Sequence, residues 1–362
     1  MNVNLRDGES RLAASSFQQP TIRIADTIEH CQRHGFPVLT HPLLANRPKE
    51  IRFAVCCLEN AIVFGEDFII RSDEELLVGG LVNNPDLFLS LTVREFLAKK
   101  FTISKSQAFP AFLVGGSENF GLFLLNYLSR LSYLILFEKL RNLPIITSGT
   151  APQNHDELFH LAGYPKARQI KIWPDQAVLF KKLYVPTMLT SKIPLTGTGQ
   201  LFDFVPVFIQ QIALKAIKGS LDSGLPRRVY LSRSAARWRR VLNEAEVIRC
   251  LKKYHFEVID PGTLTIAEQV RLAQNSEIIA GPIGNNMNFQ LFARPQTVII
   301  QFLYDQRVNM TPLVAEIFHQ KYFEIYGTPL KEGKDDMCYD FSVPIEPLES
   351  LLEKITREKA NS

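Results

Sequence analysis

The second half of the chain alternates short apolar runs with amphipathic stretches at a regular spacing. Four runs, "RVYLSR", "FEVID", "EIIAG" and "TVIIQF", have the length and the branched residues of buried strands. Between the first two, Val247, Leu251 and Tyr254 recur at helical spacing after Asn243, which we expect to cap that helix together with Glu246. Strands that alternate with helices in this way predict a parallel, Rossmann-like sheet.

Two more helices are predicted in this half, and a short one follows the loop "GPIGNN". Thr265 and Glu268 form a capping-box pattern before "IAEQVRLAQ". The short helix runs through Phe292 and stops at Pro295. Near the end of the chain, apolar residues on one face predict a helix over 346–359, namely Leu348, Leu351, Leu352 and Ile355.

The first half is less regular. Residues 1–50 show no clear pattern, and the apolar runs between Ile51 and Val82 predict β-hairpins in a small sheet. The run "AFLV" predicts a buried strand that ends at Gly115-Gly116, and apolar residues at helical spacing predict a helix over 119–139. "LPIITSG" predicts the next strand.

Residues 186–200, rich in Pro, Gly, Ser and Thr, have the composition of a linker. A chain of 362 residues is long enough for two domains. We therefore expect an N-terminal α/β domain with a small β-rich start over 1–195 and a C-terminal Rossmann-like domain over 196–362.

Composition and charge narrow the classes of partner. The 41 basic and 37 acidic residues leave a net charge of only +4, too little for general binding to nucleic acid. The sequence predicts no signal peptide and no membrane span, and its five cysteines, without C-x-x-C spacing, are typical of reduced thiols. We expect a cytoplasmic protein, with peripheral attachment to the inner membrane left open as an alternative.

One short segment concentrates arginine. Residues 227–240, "RRVYLSRSAARWRR", hold six arginines and no acidic residue. Arg233 follows a predicted strand end, and Gly281 and Gly284 follow another, just before a helix whose free N–H groups favour an anion. Because arginine offers paired donors as well as charge, this pattern favours a diphosphate site. The alternative is a solvated basic face whose glycines serve only the turn.

The order of these motifs resembles the family-61 glycosyltransferases, including members of the capsular-polysaccharide type. The resemblance covers about residues 50–330, and it rests on a strand ending in Ser-Arg, a following Arg, an Asn-Glu pair, a helix with Gln, and a Gly-rich loop before Leu-Phe. The matching residues are Ser232-Arg233, Arg237, Asn243-Glu244, Glu268-Gln269, Gly281, Gly284 and Leu291-Phe292. In the first half, "GGSENFGLFLLNYLSRL" is similar to the family's Asn-aromatic-Gly-His segment and its Arg.

The resemblance implies two facing Rossmann-like domains, the GT-B arrangement, with a last helix that crosses back to the first domain. It implies a nucleotide-sugar donor in the C-terminal half, a glycan or glycolipid acceptor against the N-terminal half, and polysaccharide or surface-glycan synthesis without a metal or other cofactor. The sequence also lacks a good set of metal ligands, since His155 and His160 do not share one helical face. The candidate donor-binding residues are Arg233, Arg237, Asn243, Glu268, Gly284, Asn285 and Asn286.

The chain departs from the family pattern where proton transfer is expected. Leu122 and Ile283 stand where histidines are usual, and Asn126 and Gln301 where acidic residues are frequent. Aliphatic side chains cannot move a proton. Glu118, directly after the Gly115-Gly116-Ser117 turn, is then the candidate base; the alternative is a solvent-exposed charge that the dipole of the following helix favours. Asn119 beside it is either an N-cap or a substrate contact.

Two other functions compete with glycosyl transfer. A non-catalytic relative that kept the nucleotide site and acts as a binding or assembly protein fits the replaced positions, while the retained arginines oppose it. A nicotinamide dehydrogenase is disfavoured, because "GTGQLF" lacks the third glycine of a dinucleotide loop and follows no clear strand.

Overall fold

The computed structural model describes residues 23–40, 53–65, 69–72, 75–78, 102–103, 106–192, 199–201, 203–217, 224–305, 309–331 and 338–360. The chain divides into two compact units, Met1–Lys192 and Ile193–Ser362. Each unit has its own core of buried apolar side chains.

Among the described residues, the first unit contains eleven strands, and its helices are short. The strands are β1 (Arg23–Asp26), β2 (Val38–Leu39), β3 (Val55–Phe64), β4 (Ile69–Ser72), β5 (Glu75–Val78), β6 (Thr102–Ile103), β7 (Ala111–Leu113), β8 (Ile145–Ser148), β9 (Gln169–Ile172), β10 (Gln176–Pro186) and β11 (Thr190–Lys192). The helices are α1 (Thr27–His34), α2 (Phe120–Leu122), α3 (Leu131–Leu136) and α4 (Gln153–Leu161), with 3-10 turns at Glu138–Leu140 and Lys166–Arg168.

The main sheet of this unit is mixed, so the expectation of a Rossmann-like first domain is wrong in part. Its order is β1-β5-β4-β3-β10-β7-β8-β9, with β2 beside β3 and β6 beside β10. The strands β3, β4 and β5 pair antiparallel, as the hairpin pattern predicts, whereas β7, β8 and β9 pair parallel. The long strand β10 joins the two halves because it pairs antiparallel with β3 and parallel with β7.

The start of the chain is more regular than expected where the structure describes it. Within the stretch that looked irregular, β1, α1 and β2 form, and residues 1–22 and 41–50 lie outside the described residues. The helix α1 has only a narrow apolar face, which buries Ile28 and Cys31, and so gives a weak helical pattern.

The helix predicted over 119–139 forms, but it is broken. After α2, a π-helical turn runs over Phe123–Tyr127 and a 3-10 turn over Leu128–Arg130, and α3 follows. Of the apolar residues at this spacing, Phe123 is buried, whereas Ile135, beyond the break, is 63% exposed. Single π turns inside helices are frequent at functional sites.

The second unit is built on a five-stranded sheet with all strands parallel, which confirms the prediction for this half. The order is β14 (Glu257–Ile259), β13 (Arg228–Leu231), β15 (Ile278–Pro282), β16 (Val298–Leu303) and β17 (Lys321–Tyr326). Short strands are β12 (Gly199–Leu201), β18 (Thr328–Leu330) and β19 (Asp340–Ser342). The helices are α5 (Phe204–Leu214), α6 (Glu244–Lys253), α7 (Ile266–Asn275), α8 (Thr311–Ile317) and α9 (Ile345–Ala360), with 3-10 segments at Pro261–Thr263 and Asn285–Phe292.

The two helix starts predicted from capping patterns have different outcomes. The capping box at Thr265 is confirmed: its hydroxyl accepts from the backbone of Glu268, whose carboxylate accepts from the Thr265 N–H. At the other start, Asn243 is the N-cap residue of α6 as predicted, and its side-chain amide donates to the Glu246 carboxylate over 3.3 Å. The Asn243 side chain makes no cap bond and instead pairs with the backbone of Val343 in both directions, each bond 2.9 Å long.

The C-terminal helix α9 forms where its apolar spacing predicts it. Leu348, Leu352 and Ile355 are buried in the core of the second unit, and the expectation that the helix reaches back to the first domain stays a prediction. Among the described helices, none combines the length and the apolar composition that crossing a membrane requires.

Candidate functional site

The carboxyl ends of three neighbouring strands in the second unit bring polar groups together. Ser232 and Arg233 follow β13, Asp260 follows β14, and Gly284 opens the loop after β15. The side-chain amide of Asn286 donates to the carbonyl oxygen of Ser232 over 2.6 Å, which ties the glycine loop to the strand end beside it. The two strand ends that the sequence paired are therefore adjacent, in the position where parallel sheets bind ligands.

Gly284 provides the space in which the Arg233 guanidinium lies. A methyl group at position 284 would stand 2.5 Å from Nη1 of Arg233 and 2.6 Å from its Cζ. The backbone φ at Gly284 is +152°, a conformation that glycine adopts readily. Glycine is therefore needed here for close packing against an arginine as well as for the turn.

The Arg233 guanidinium is half-buried and has no carboxylate within ion-pair distance among the described residues. Its Nη2 donates to the Trp238 carbonyl oxygen over 3.1 Å, and Nη1 reaches Asn286 Oδ1 at 3.5 Å. Its Nε is buried without a hydrogen-bond partner. Burial, and then the charge of Arg239, lowers the pKa of Arg233 to about 10, and nearby Asp260 opposes this effect. The group stays protonated at neutral pH.

Four other arginines of the cluster have contacts within the protein. Arg227 forms an ion pair with Glu277, Arg228 donates to the Tyr254 carbonyl oxygen, and Arg240 donates to Asp340 through both its backbone and its guanidinium. Arg237 is exposed and lies 4.5 Å above the Trp238 ring. No ligand is therefore needed to explain these four of the six arginines.

Arg239 lies close enough to Arg233 for its charge to lower the pKa of Arg233. It is half-buried at a φ of +60°, and its Nε is buried without a partner. Arg233 and Arg237 do not share a helical face, because residues 232–240 form turns instead of a helix. The sequence could not show which arginine lies beside Arg233, because the fold of a nine-residue turn depends on its tertiary contacts.

Two predicted donor-binding residues have structural partners. The Asn243 amide bonds Val343, and the Glu268 carboxylate accepts from the Thr265 backbone and hydroxyl in the capping box. Glu244, which belongs to the Asn-Glu pair of the resemblance but was not a candidate site residue, organises the strand end: its Oε1 accepts from the hydroxyls of Ser232 and Tyr230, each over 2.8 Å.

The loop after Gly284 is a 3-10 helix rather than an α-helix. Asn285 is exposed, and its carbonyl oxygen accepts from the Asn288 amide over 2.9 Å. Ile283, at a position where the family often has histidine, is buried in the core, and its N–H donates to the Phe302 carbonyl oxygen. Gln301 is buried as well, and its Oε1 accepts from the hydroxyl of Tyr322.

The candidate residues of the first unit lie at the carboxyl end of β7. Glu118 is exposed, directly before α2. Asn119 is the N-cap of α2, since its Oδ1 accepts from the Leu122 N–H over 3.0 Å. Leu122 is half-buried, and Asn126 is buried within the π turn.

Arg130 is buried behind this loop. Its Nη1 donates to the Val114 carbonyl oxygen over 2.9 Å, and its guanidinium lies 5.0 Å from the Tyr127 ring centroid. Burial lowers the pKa of Arg130 to about 10. Gly115, at a φ of +84°, leaves the space that the Tyr127 ring occupies, so Arg130 and Gly115 together shape the turn before Glu118.

His155, which the sequence offered only as a poor metal ligand, is a buried neutral ring. It stacks on Phe123 with centroids 3.6 Å apart and planes 5° apart, and neither ring nitrogen has a partner. Burial lowers the pKa of His155 to about 4, although Asp156 opposes this. A ring that is 1% exposed supports the π turn rather than exchanging protons with a substrate.

Among the described residues, one group has the chemistry and spacing of metal ligands. His30, His34 and Glu75 place possible ligand atoms within 4.8 Å of one another. The Glu75 carboxylate is already bound by the Arg33 fork at 2.8 and 2.9 Å and by His30 Nδ1 at 2.6 Å, and the hydrogen bond from Arg33 is the largest cause that lowers its pKa to about 2. This arrangement is an ion-pair network. A metal ion could bind the Glu75 carboxylate only by displacing the Arg33 guanidinium from it.

Comparison with known proteins identifies the family of the chain. No curated protein matches the chain. The family model described as Glycosyltransferase 61 matches residues 120–300, half of the 362 residues. The match includes α2, the π turn and the strand ends that hold Arg233 and Gly284. The chain belongs to glycosyltransferase family 61.

Proposed function

We propose that this protein transfers a sugar from a nucleotide-sugar donor to a glycan or glycolipid acceptor, in the synthesis of polysaccharide or surface glycan of the capsular type. Family membership supports glycosyl transfer in general. The donor belongs to the second unit and the acceptor to the first in this proposal. The observation that carries it is the half-buried Arg233, held against Gly284 with no carboxylate partner among the described residues.

An unpaired guanidinium at a strand end is costly to keep without a ligand. Removing a cation from water is unfavourable unless an opposite charge compensates for it. The charge of Arg239 lowers the pKa of Arg233, and both side chains have a buried Nε without a hydrogen-bond partner. A diphosphate would supply the negative charge and the acceptor oxygens that this pair lacks.

The same contacts would assist departure of the leaving group. As the bond between the anomeric carbon and the diphosphate oxygen breaks, its electron pair passes to the diphosphate, whose negative charge grows. Positioned donors that meet charge as it develops are often the largest catalytic term, with one worth roughly 3–4 kcal/mol. Arg233 and Arg239 would do this work, and Arg237 would assist from the surface.

Glu118 is the proposed base of the transfer. The acceptor hydroxyl would bond to the anomeric carbon while its proton passes to the Glu118 carboxylate. Glu118 is exposed, next to a capped helix start, so a substrate can reach it. If Glu118 has no role, the proton passes to the donor itself by substrate assistance.

A specific observation favours a second candidate function, a non-catalytic nucleotide-binding protein. Ile283 is part of the apolar core, and Gln301 is held by Tyr322 and Asn309. Neither side chain is available for proton transfer, so two positions that often serve chemistry in the family have structural roles here. The retained Arg233 is compatible with both functions.

One assay separates the two functions. The wild-type protein and Glu118→Gln are incubated with UDP-, GDP-, CMP- and dTDP-sugars, with and without oligosaccharide acceptors, and the released nucleotide is measured by chromatography. Transfer by the wild type that the substitution reduces at least tenfold supports the enzyme and its base. Transfer that the substitution leaves unchanged rejects Glu118 as base. Calorimetric binding without release for any donor would support the non-catalytic protein.

A further inference from the structure

Trp173 is an exposed aromatic side chain at the carboxyl edge of the parallel strands in the first unit. It follows β9 directly, and 46% of its surface is exposed. Tryptophan is highly buried on average, and its ring, which has an apolar face and a polar N–H, is enriched at binding surfaces. The residues around it indicate what kind of ligand this ring would take.

One face of the indole rests on backbone. A methyl group at Gly149 would stand 2.5 Å from Cδ2 and 2.8 Å from Cε2 of Trp173, so the ring lies flat against the glycine that follows β8. The Gly149 N–H donates to the Ile172 carbonyl oxygen over 2.7 Å, which fixes the two strand ends relative to each other. The ring is therefore supported from below.

Residues with hydroxyl and carboxylate groups stand next to Gly149 and Trp173 in the chain. Ser148 Oγ and Thr150 Oγ1 lie 3.3 Å apart on the two sides of Gly149. Asp175 is exposed in the turn after Trp173, which the bond from the Gln176 N–H to the Trp173 carbonyl oxygen closes over 3.0 Å. Gly116 lies close by, since a methyl group there would stand 3.0 Å from Cβ of Ser148.

We propose that Trp173 is the platform on which a sugar ring of the acceptor stacks, an inference that rests on the proposed function. A pyranose presents axial C–H groups on its faces, which suit an indole face, and hydroxyl groups around its rim, which suit carboxylates and hydroxyls. Thr150 and Asp175 offer such groups next to the ring. An apolar peptide laid on the ring would remove water from the exposed Asp175 carboxylate and offer it no donor, so the surroundings favour a saccharide.

The platform and the donor site can be observed separately because the chain contains only two tryptophans. Trp173 belongs to the first unit, and Trp238, whose carbonyl oxygen accepts from Arg233, belongs to the second. Biosynthetic labelling with 5-fluorotryptophan gives one 19F resonance from each, and Trp173→Phe and Trp238→Phe assign them. The probes are UDP, GDP, CMP and dTDP, and methyl glycosides and oligosaccharides of the common hexoses, pentoses and 2-acetamido sugars.

We expect at least one saccharide to move the Trp173 resonance without moving that of Trp238, and a nucleotide to move that of Trp238. Calorimetry with the same saccharide should show that Trp173→Ala weakens binding roughly 10-fold or more, as for other central aromatic contacts. Gly149→Ala should weaken it too, because the methyl group tilts the ring while the tryptophan remains. Phe109→Ala, which removes an aromatic residue that is 50% exposed but precedes β7, is the matched control.

The possible results separate this inference from the proposed function. A nucleotide that moves the Trp238 resonance, together with a Trp173 resonance that no saccharide moves, would overturn the platform and leave donor binding intact. A saccharide that moves only the Trp173 resonance, with no response to any nucleotide, supports the platform and counts against the donor site. Saccharide binding that Trp173→Ala and Gly149→Ala leave unchanged would also overturn the platform.

Discussion

Replacing Arg233 by alanine tests the donor site at the residue that defines it. The guanidinium donates to the Trp238 carbonyl oxygen, approaches Asn286, and keeps Nε buried without a partner. If a diphosphate supplies the missing acceptors, the substitution removes at least one charged hydrogen bond, worth about 1.5–3 kcal/mol. That range corresponds to a dissociation constant about 10- to 150-fold larger.

The assay is isothermal titration of nucleoside diphosphates and nucleotide-sugars against matched variants. Arg227→Ala is the control, because Arg227 lies at the start of the same strand segment and is paired with Glu277. It should bind nucleotide like the wild type. Arg239→Ala should weaken binding in the same direction as Arg233→Ala, and Arg237→Ala should have a smaller effect. Nucleotide binding that is equal in the wild type and Arg233→Ala, with both proteins folded, would refute the reasoning.

Gly284→Ala gives an independent test, because the new methyl group would displace the Arg233 guanidinium, so nucleotide binding measured by calorimetry should fall although no charge is removed. Thr265→Ala removes the hydroxyl of the capping box and should lower the free energy of unfolding by about 1 kcal/mol in urea titrations, whereas Thr265→Ser should restore most of it. The buried ring of His155 predicts a pH dependence of stability. Its pKa is about 4 in the folded protein and about 6.5 in an unfolded chain, so the unfolded state binds more protons between these values. Stability should be complete above about pH 6.5 and fall by up to roughly 3 kcal/mol as the pH approaches 4. His155→Phe should flatten this part of the urea-unfolding profile, and a profile that the substitution leaves unchanged would contradict the role of burial.

The parallel sheet of the second unit could be predicted because its sequence signals are local. Apolar runs of strand length alternate with amphipathic helices, and Thr265 and Glu268 lie at the spacing of a capping box. Strand ends in such a sheet meet at one edge, so the proximity of Arg233 and Gly284 also followed from the order of the elements.

Other features depend on contacts between distant residues and left little trace in the sequence. Asn243 stands at the spacing of an N-cap, but it pairs with Val343, a hundred residues later. The choice between Arg237 and Arg239 as the partner of Arg233 depends on the turns of residues 232–240, which no periodicity describes. In the first unit, the register of the long strand β10 against β3 is set by pairs far apart in the chain, so the mixed sheet could not be predicted from local patterns.

The most direct test of the central claim is a crystal structure of the protein with the nucleoside diphosphate that binds most tightly in calorimetry. The account predicts the diphosphate at the carboxyl edge of the five-stranded sheet, with its oxygens within hydrogen-bond distance of the Arg233 and Arg239 guanidinium groups and next to Gly284. Density for the diphosphate elsewhere on the protein, with Arg233 still bonded only to Trp238 and Asn286, would contradict it.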